Sequence, residues 1–391
     1  MKRKNSYLNL LLLIVFFCNA IIVNAQDMTK QWMEQKNQLK YGFIDKEGKF
    51  AISPKYIRAG DFSCGLAYVS STNLKYYYIN KIGDIAMAID NEYIAGTDFN
   101  DNYAVIRDKS RLEGYINSEG LVVIKPTLYY AGHFSEGLAS VCNASGEWNV
   151  IDKNGEIVIK SLPYRGVRCF VEGLAGVWVS LEWVFDKKKD PTMEVQLMKF
   201  GFINKKGEMV IPAKFDQVYD FSEGMALVNV GGWISTHGIE QFIGGKYGFI
   251  NKDGKVVIKP RYSSADSFSE GLAVVFVDKQ GWGYIDKRGK QVIKPKYEGA
   301  SSFSEGLAAV EIKGKYGYID NKGKMIIEPT FDLPGMFSEG LAAVKIGEKC
   351  GYIDKTGKYI VEPKFTEAYS FSEGLARVQL FVEDVNVNSK Q

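Results

Sequence analysis

Short apolar and aromatic runs alternate with turn residues along most of the chain. In one representative stretch, residues 316–320 are rich in aromatic side chains, residues 321–324 include Gly323, and residues 325–327 are apolar again. Aromatic and β-branched residues favour strands, and a glycine between two such runs favours a hairpin turn. We therefore predict a β-hairpin that ends at Pro329, because proline has no N–H for a strand ladder.

A second turn and a third strand are predicted further along the same stretch. Phe337-Ser338-Glu339-Gly340 has the composition of a turn, and the apolar residues 341–346 follow it. Apolar residues do not recur at helical spacing anywhere in the chain. The pattern therefore predicts an all-β protein.

Two motifs recur along the chain, aromatic-Gly-aromatic-Ile-Asp/Asn-Lys-x-Gly and Phe-Ser-Glu-Gly-Leu-Ala. The glycines of the second motif at positions 271, 306, 340 and 374 are 35, 34 and 34 residues apart. Copies of the first motif, some of them weak, start at Tyr41, Tyr76, Glu113, Trp148, Phe200, Tyr247, Trp282, Tyr316 and Cys350. A constant period of this size marks tandem repeats. We predict nine repeats over residues 41–383.

One repeat buries too little to fold alone, so neighbouring repeats are expected to cover each other's apolar faces. Nine units of about three strands favour an open superhelical or solenoid-like array, because closed propellers usually have about 4–8 blades of four strands. Propeller-like closure is the alternative.

The motifs resemble the bacterial WG repeat family. Its unit reads Trp-Gly-x-Ile-Asp-x-x-Gly, then proline and an aromatic residue, then Phe-Ser-Glu-Gly-Leu-Ala. The resemblance covers residues 41–380, although only Trp282-Gly283 has the literal dipeptide. Trp148 is followed by Asn149, and Tyr, Phe, Cys or Glu replaces tryptophan in the other repeats. It implies a β-repeat module of envelope or secreted proteins, and it implies no reaction.

The first 25 residues have the features of a secretory signal peptide. Three basic residues precede an apolar run, and Val23-Asn24-Ala25 presents small or apolar residues at the two positions that a signal peptidase reads. An uncleaved membrane anchor and lipidation at Cys18 are the alternatives. Residues 26–40 form an N-terminal segment and residues 384–391 a C-terminal tail.

The net charge of +3 comes from the predicted signal peptide, since its removal leaves equal numbers of basic and acidic residues. A neutral chain has no electrostatic footprint for nucleic acid. No later segment is long and apolar enough to span a membrane. We expect a periplasmic, cell-surface or secreted protein.

Recurring carboxylates are interpreted as structural. The Asp residues of the first motif are replaced by Asn204 and Asn251 in two repeats, which indicates a turn role and not a calcium loop. The glutamates of the second motif lie in equivalent environments, which argues against an acid–base pair. We expect these glutamates to be exposed or to cap turns. They are Glu136, Glu172, Glu223, Glu270, Glu305, Glu339 and Glu373.

The cysteines and histidines do not form a metal-ligand pattern, and the sequence predicts no metal and no cofactor. Only Cys142 and Cys169 lie in adjacent repeats, so they form the one plausible disulfide; buried free thiols are the other interpretation. His133 occupies a variable position in the turn region of its repeat.

Two insertions interrupt the repeats at equivalent junctions, residues 180–199 and 231–245. In a regular array, insertions at equivalent points project from one face. They carry the candidate binding residues Trp183, Phe185, Trp233, His237 and Phe242. Extended hairpins that only cover a sheet edge are the alternative.

These observations favour an exported, non-enzymatic scaffold that binds protein or polysaccharide at the cell envelope. A passive structural component of the envelope is the second hypothesis. A hydrolase with an unrecognised carboxylate site is the third, and it would need two unlike carboxylates that face one cleft.

Processing at the predicted site would give an exported protein whose first residue is Gln26. Mass spectrometry of the N-terminal peptide of the exported protein tests this prediction. A mature protein that begins at a lipid-modified Cys18 would contradict it.

Overall fold

The computed structural model describes residues 39–71, 75–89, 92–185, 194–235 and 241–381. The predicted signal peptide, residues 26–38 and the predicted C-terminal tail lie outside these ranges. Within them the chain forms 36 strands in antiparallel sheets, seven of four strands and one of eight. The eight-stranded sheet consists of two four-stranded units, so the architecture is a β-propeller of nine blades.

Each blade has four strands, which we label a, b, c and d in order across the sheet and number β1–β36 in chain order. The a strands are β3 Arg58–Ala59, β7 Tyr93–Gly96, β11 Tyr130–Ala131, β15 Gly166–Val171, β19 Gln217–Ser222, β23 Ser264–Ala265, β27 Gly299–Ala300, β31 Leu333–Pro334 and β35 Glu367–Ser372. The b strands are β4 Ala67–Ser70, β8 Tyr103–Asp108, β12 Leu138–Cys142, β16 Leu174–Phe185, β20 Met225–Ser235, β24 Leu272–Val277, β28 Leu307–Ile312, β32 Leu341–Ile346 and β36 Leu375–Phe381. The c strands are β1 Leu39–Ile44, β5 Tyr76–Ile79, β9 Glu113–Asn117, β13 Trp148–Asp152, β17 Glu194–Asn204, β21 Gln241–Asn251, β25 Gly281–Asp286, β29 Lys315–Asp320 and β33 Lys349–Asp354. The d strands are β2 Phe50–Tyr56, β6 Ile85–Ala88, β10 Val122–Leu128, β14 Ile157–Leu162, β18 Met209–Phe215, β22 Val256–Tyr262, β26 Gln291–Tyr297, β30 Met325–Phe331 and β34 Tyr359–Phe365.

The sequence repeat is offset from the blade by two strands. Each repeat supplies strands c and d of one blade and strands a and b of the next. Blade 1 therefore combines β35 and β36 with β1 and β2, and blades 2 to 9 follow in chain order from β3 to β34. Strand a contacts the preceding blade and lies at the axis of the ring, whereas strand d lies at the rim.

The predicted open array is wrong, and the alternative of propeller-like closure is right. Strand β1 pairs with β36, with Phe43 opposite Arg377 and Ile44 opposite Ala376. The sequence interpretation counted three strands per unit because strand a is only two residues long in several blades. With the fourth strand included, closure pairs two strand edges that an open array would leave exposed.

Pro329 does not end its strand, contrary to the sequence prediction. It lies inside β30, which continues to Phe331 opposite Tyr316. Strand β30 is the outermost strand of its blade, and its pairing with β29 is irregular on both sides of Tyr318. A missing N–H is tolerated at such an irregular edge.

Nine hydrophobic clusters fill the nine interfaces between neighbouring blades. This confirms that neighbouring repeats cover each other's apolar faces. Between blades 7 and 8, the buried Tyr284 packs against Phe303, and its hydroxyl donates a hydrogen bond of 2.8 Å to the carbonyl oxygen of Ser301. At the interface between blades 1 and 2, Phe43 packs against Phe62 with ring centroids 4.9 Å apart.

The turns divide between two faces of the ring because successive strands are antiparallel. The a–b and c–d turns form one face, which we call the glutamate face. The b–c turns and the d–a links form the opposite face, which we call the hairpin face. Among the described residues, no helix has the length and apolar character that a membrane span requires.

The Asp and Asn residues of the first motif stabilise the c–d turns, as predicted. Asp320 Oδ1 accepts the N–H groups of Lys322 and Lys324, both at 2.9 Å. Asn204 and Asn251 make the equivalent bonds. The turn interpretation is therefore confirmed.

The glutamates of the second motif link neighbouring blades, a role that the sequence interpretation did not include. Glu305 Oε2 accepts the N–H of Gly340 at 2.9 Å and lies 3.1 Å from Lys355 Nζ, both in the next blade. The carboxylates that accept such an N–H from the next blade are Asp101, Glu136, Glu172, Glu223, Glu270, Glu305, Glu339 and Glu373. The bond from Gly65 to Glu373 closes the series across blades 1 and 2.

The serine of the same motif forms a second link between blades. Ser304 Oγ donates to the carbonyl oxygen of Phe337 in the next blade at 2.7 Å. The serines that make this bond are Ser63, Ser135, Ser222, Ser269, Ser304, Ser338 and Ser372. Asn100 and Val171 replace serine at the two remaining positions. The glutamate face therefore carries a nearly continuous ring of bonds between blades.

Gly323→Val is expected to destabilise the protein by about 1–3 kcal/mol. Gly323 has a φ of +81°, and a Cβ there would lie 3.2 Å from Ile293 Cγ2 of the preceding blade. Thermal and urea unfolding measure the change. Lys322→Val is the matched control, because Lys322 is exposed in the same turn and its φ is not positive. Equal stability of the two variants would contradict the argument.

Acid is expected to weaken the links between blades. Burial opposes ionisation of Glu305, but the Lys355 ammonium and the Gly340 N–H outweigh it and lower the pKa of the carboxyl. A carboxyl with a lowered pKa stabilises the fold above its ordinary pKa, and this stabilisation is lost as the pH falls through the folded-state value. The pKa is lowered in the same way at Asp101, Glu136, Glu223 and Glu339. We expect the melting temperature to fall as the pH is lowered below about 4.5.

A matched pair of variants isolates this effect. Glu305→Gln should lose part of the acid dependence of the melting temperature, whereas Glu328→Gln, on an exposed d strand, should keep the wild-type dependence. An identical acid dependence in both variants would contradict the assignment.

Candidate binding site

The two insertions form long b–c hairpins on the hairpin face of blades 5 and 6. The first consists of β16 and β17, and the second of β20 and β21. Gln196 pairs with Ile234, which joins the two blades into one eight-stranded sheet. The prediction that the insertions are neighbours on one face is confirmed. Their pairing also means that each hairpin covers an edge of the other.

A buried carboxylate holds the bases of both hairpins. Asp216, in the link between blades 5 and 6, lies 2.5 Å from Lys199 Nζ at the base of the first hairpin. Its other oxygen accepts the N–H of Gly231 at the base of the second hairpin at 2.7 Å. Asp216 is buried, so these contacts fix the positions of the two hairpins relative to each other.

The structure describes the five predicted site residues to different extents. Trp183 pairs with Gln196 and Phe185 with Glu194, but only the backbone of Trp183 and Phe185 is described. His237 lies outside the described residues. The second hairpin carries Trp233 and Phe242 at successive register positions, so their side chains lie on opposite faces of the hairpin.

Trp233 and Phe242 are both half-buried on the second hairpin. Trp233 lies opposite Ile243, one register position from the pair of Ile234 and Phe242. The Phe242 ring lies against Gly232, where a Cβ would be 2.2 Å from the ring Cζ. Gly232 therefore makes room for the ring, and the second hairpin presents two partly exposed aromatic residues.

Two cavities lie between blades at one equivalent position, and the sequence interpretation did not predict them. The first residue of the aromatic-Gly motif occupies strand c, and we call this position the aromatic slot. Its nine occupants are Tyr41, Tyr76, Glu113, Trp148, Phe200, Tyr247, Trp282, Tyr316 and Cys350. The cavities occur at the two slots without a ring, Glu113 and Cys350. These departures from the motif were the sequence signal for the cavities.

The cavity between blades 3 and 4 is polar and has a volume of about 320 Å³. Glu113 Oε1 accepts a hydrogen bond of 3.1 Å from Arg107 Nε, and Glu113 Oε2 accepts the N–H of Ala131 at 2.7 Å. The Glu113 side chain is 10% exposed and the Arg107 side chain 46%. Thr97, Tyr130 and His133 also line the cavity.

The cavity between blades 9 and 1 has the same volume, about 320 Å³, and a cysteine at the position of Glu113. Leu333, Pro334, Ala343 and Val344 lie around Cys350, together with Lys345, Tyr369 and Ser370. Burial raises the pKa of the Cys350 thiol. The two cavities therefore share a position in the fold and differ in chemistry.

A line of aromatic residues runs from the polar cavity to the first hairpin. Tyr130 contacts Trp148, with ring centroids 5.3 Å apart, and Trp148 contacts Trp178 at 6.2 Å. Trp178 contacts Phe200 of β17 at 5.8 Å. Trp148, Trp178 and Phe200 are half-buried, and Tyr130 is 44% exposed. The four residues connect the cavity with the base of the insertion at 180–199.

The variable position of His133 lies at the end of strand a, next to the axis of the ring. Blades 2 to 6 carry titratable side chains there, whereas Ser267, Ser302, Met336 and Ser370 occupy the other blades. The titratable residues are Asp61, Asp98, His133, Cys169 and Asp220. The inner surface of the ring is therefore chemically uneven.

Asp61 and Asp98 form the pair of unlike carboxylates closest to what a hydrolase would need. Burial and the neighbouring Asp61 carboxylate raise the pKa of Asp98. Asp61 Oδ1 lies 3.3 Å from Arg377 Nε. Neither carboxylate lines either of the two cavities.

Cys142 and Cys169 do not form a disulfide; both are free, as are Cys64 and Cys350. Cys142 is buried, and the Cys169 thiol donates a hydrogen bond of 3.6 Å to the carbonyl oxygen of His133 in the preceding blade. Free thiols are therefore the correct interpretation of these two residues.

The geometry defines a closed nine-bladed propeller with paired hairpins and a polar cavity on one face. The model of the WG containing repeat matches residues 41–74, 114–148, 148–177, 200–232, 247–280, 282–316, 316–350 and 351–380. These segments make up more than half of the chain, and the chain belongs to this family. The resemblance recognised in the sequence is confirmed.

Among solved structures, the computationally designed Ika8 protein is 13% identical, has a TM-score of 0.40, and the match covers 77% of this chain and 93% of that chain. BamB from Moraxella catarrhalis is 11% identical with a TM-score of 0.40, over 83% of this chain and 94% of that one. The Dos1 propeller is 11% identical with a TM-score of 0.40, over 88% and 96%. None of the curated proteins compared with the chain matches it.

Proposed function

We propose that this protein is a non-enzymatic scaffold that binds protein or polysaccharide through the hairpin face of blades 5 and 6. The observation that carries the proposal is the pair of long, mutually paired hairpins held at their bases by Asp216. Binding sites on β scaffolds commonly consist of exposed loops that a rigid framework supports. The half-buried Trp233 and Phe242 supply aromatic surface of the kind that is enriched at interfaces.

A passive structural role explains the repeats but not the insertions. A ring that only had to be stable would gain nothing from two hairpins that extend beyond the b–c turns of the other blades. In blade 8 the same junction is the two-residue turn Lys313-Gly314 between β28 and β29. The added length therefore favours a partner over a purely structural role.

Binding also agrees better with the site chemistry than hydrolysis does. The unlike carboxylates Asp61 and Asp98 lie apart from both cavities, and Asp61 is engaged by Arg377. The cavity carboxylate, Glu113, is paired with Arg107. A carboxylate that is fixed by a guanidinium suits recognition more than proton transfer.

We place the scaffold outside the cytoplasm, at the cell envelope or in the medium. The support is the basic and apolar N-terminal sequence with its Val23-Asn24-Ala25 boundary. Four free cysteines are compatible with this location because Cys142 and Cys350 are buried.

Trimming the hairpins tests the proposed function. Residues 180–198 and 231–245 are replaced by the Lys-Gly turn of blade 8, which joins the equivalent strand positions. We expect the ring to stay folded, because the residues of the hydrophobic cluster between blades 5 and 6 all lie outside the two trimmed segments. We expect capture of the native partner from envelope fractions to be lost. Circular dichroism and quantitative pull-down measure the two outcomes.

Single substitutions refine this test. Trp183→Ala and Trp233→Ala are each expected to weaken binding by about 2 kcal/mol if the residue is an interface anchor. Tyr129→Ala is the matched control, because Tyr129 is an aromatic residue 74% exposed on the hairpin face outside the insertions. A folded, trimmed protein that captures its partner at full strength would contradict the proposal.

A further inference from the structure

We propose that the cavity at Glu113 and the aromatic line beside it bind a neutral saccharide chain. This inference rests on the polysaccharide branch of the proposed function and names the site and the ligand class. The sugar residue at the end of the chain occupies the cavity, and the residues that follow lie along Tyr130, Trp148 and Trp178 toward the first hairpin.

The cavity lies at a slot where seven other blades place an aromatic side chain. Seven aromatic slots are filled by rings; for example, Trp282 packs against Phe276 with centroids 5.3 Å apart. Glu113 is slimmer than these rings and turns toward Arg107, and the cavity beside it has a volume of about 320 Å³. A cavity of this volume is large enough for a pyranose ring.

The charges of the cavity select a neutral ligand. An anion would meet the Glu113 carboxylate, and a cation would meet the Arg107 guanidinium, with which Glu113 is paired. A neutral polyhydroxyl ligand meets neither repulsion. It can instead donate one hydroxyl hydrogen bond to Glu113 and accept another from Arg107.

Hydrogen-bonding capacity remains for such a ligand. Each oxygen of Glu113 has two lone pairs, and Oε2 accepts one described bond, from the Ala131 N–H. Arg107 uses two of its five N–H groups on Glu113 and is 46% exposed. The hydroxyl of Tyr130 and the imidazole of His133 add groups that donate or accept. Few, fixed polar groups in a cavity are typical of specific ligand sites.

The aromatic line argues for a chain and not a single sugar. Tyr and Trp combine an apolar ring face with a polar edge, which suits the mixed surface of a sugar. The Trp178 ring contacts Gly166, where a Cβ would be 1.8 Å from the ring. The rings are therefore held in place by packing, and their line from Tyr130 to Phe200 extends away from the cavity.

The equivalent cavity at Cys350 differs in its chemistry. It offers a thiol where the first offers a carboxylate, and its lining includes Leu333, Pro334, Ala343 and Val344 as well as Lys345, Tyr369 and Ser370. It is therefore a natural internal control. A ligand that needed only the shape of the cavity would bind both, whereas a saccharide should prefer the cavity at Glu113.

The experiment measures binding of cellohexaose, laminarihexaose, maltohexaose and chitohexaose to the full mature protein by titration calorimetry and tryptophan fluorescence. We expect at least one to bind. Glu113→Tyr restores the ring of the repeat, fills the cavity and should weaken binding about tenfold or more. Cys350→Tyr fills the equivalent cavity and should leave binding unchanged.

A second pair of variants tests the aromatic line and guards against misfolding. Trp148→Leu should weaken binding of the hexasaccharide more than binding of the corresponding disaccharide. If Glu113→Tyr does not fold by circular dichroism, Tyr130→Ala takes its place, with the same loss expected. The proposal is overturned if none of the four oligosaccharides binds at millimolar concentration, or if binding is equal in the wild-type protein and the folded cavity variant.

The result of the saccharide experiment can be distinguished from the result of the hairpin trimming. Saccharide binding that survives trimming, together with retained capture of the partner, would support the cavity and remove the hairpins as the site. Loss of partner capture on trimming, with no oligosaccharide bound, would overturn the cavity and leave the hairpins as a protein-binding site.

Discussion

The pairing of β1 with β36 is the interaction on which the rest of the structure depends. Each repeat supplies half of one blade and half of the next, so the first described strand is a c strand and the last is a b strand. Unpaired, both would expose main-chain N–H and C=O groups at an edge. Their pairing also places Ile44 in the cluster of Tyr352 and Leu375 in the cluster of Phe43 and Phe62, which completes the two clusters on either side of blade 1. Closure therefore satisfies hydrogen bonds and buries apolar surface in one step.

Most of the local structure could be predicted because it depends on neighbouring residues in the chain. The hairpin around Gly323, the turn role of Asp320 and the strand that starts at Leu341 follow from composition and spacing alone. Closure could not be predicted in this way, since it depends on contacts between residues more than 300 positions apart, such as Gly65 and Glu373. The position of Pro329 inside a strand was equally hidden, because the sequence does not show that this strand is the outermost of its blade.

The sequence predicted the part of the candidate site that the two insertions form, and it did not predict the cavity at Glu113. The insertions at 180–199 and 231–245 are visible as interruptions of the repeat, and the structure confirms that they are neighbours. The cavity at Glu113 arises from a substitution that leaves the length of the repeat unchanged. Its signal was a carboxylate at a slot otherwise occupied by rings or by Cys350. To recognise the cavity from this signal, one must know that the slot faces the next blade. Only the packing of the blades shows this.

The distribution of these departures shows how the ring separates stability from recognition. Interblade bonds from Ser-Glu-Gly turns recur around the glutamate face, so the loss of one, as at Cys64 or Val171, leaves the neighbouring interfaces intact. On the hairpin face, the cavity at Glu113 and the two insertions lie in consecutive blades, whereas the cavity at Cys350 lies apart from them between blades 9 and 1. The cavity at Glu113 lies between blades 3 and 4, and the aromatic line crosses blade 4 into blade 5, where the first hairpin begins. A random scatter of tolerated substitutions would not place a polar cavity, four contacting rings and two hairpins side by side. Their contiguity on one face supports the proposal that this sector of the ring, rather than the ring as a whole, binds a ligand.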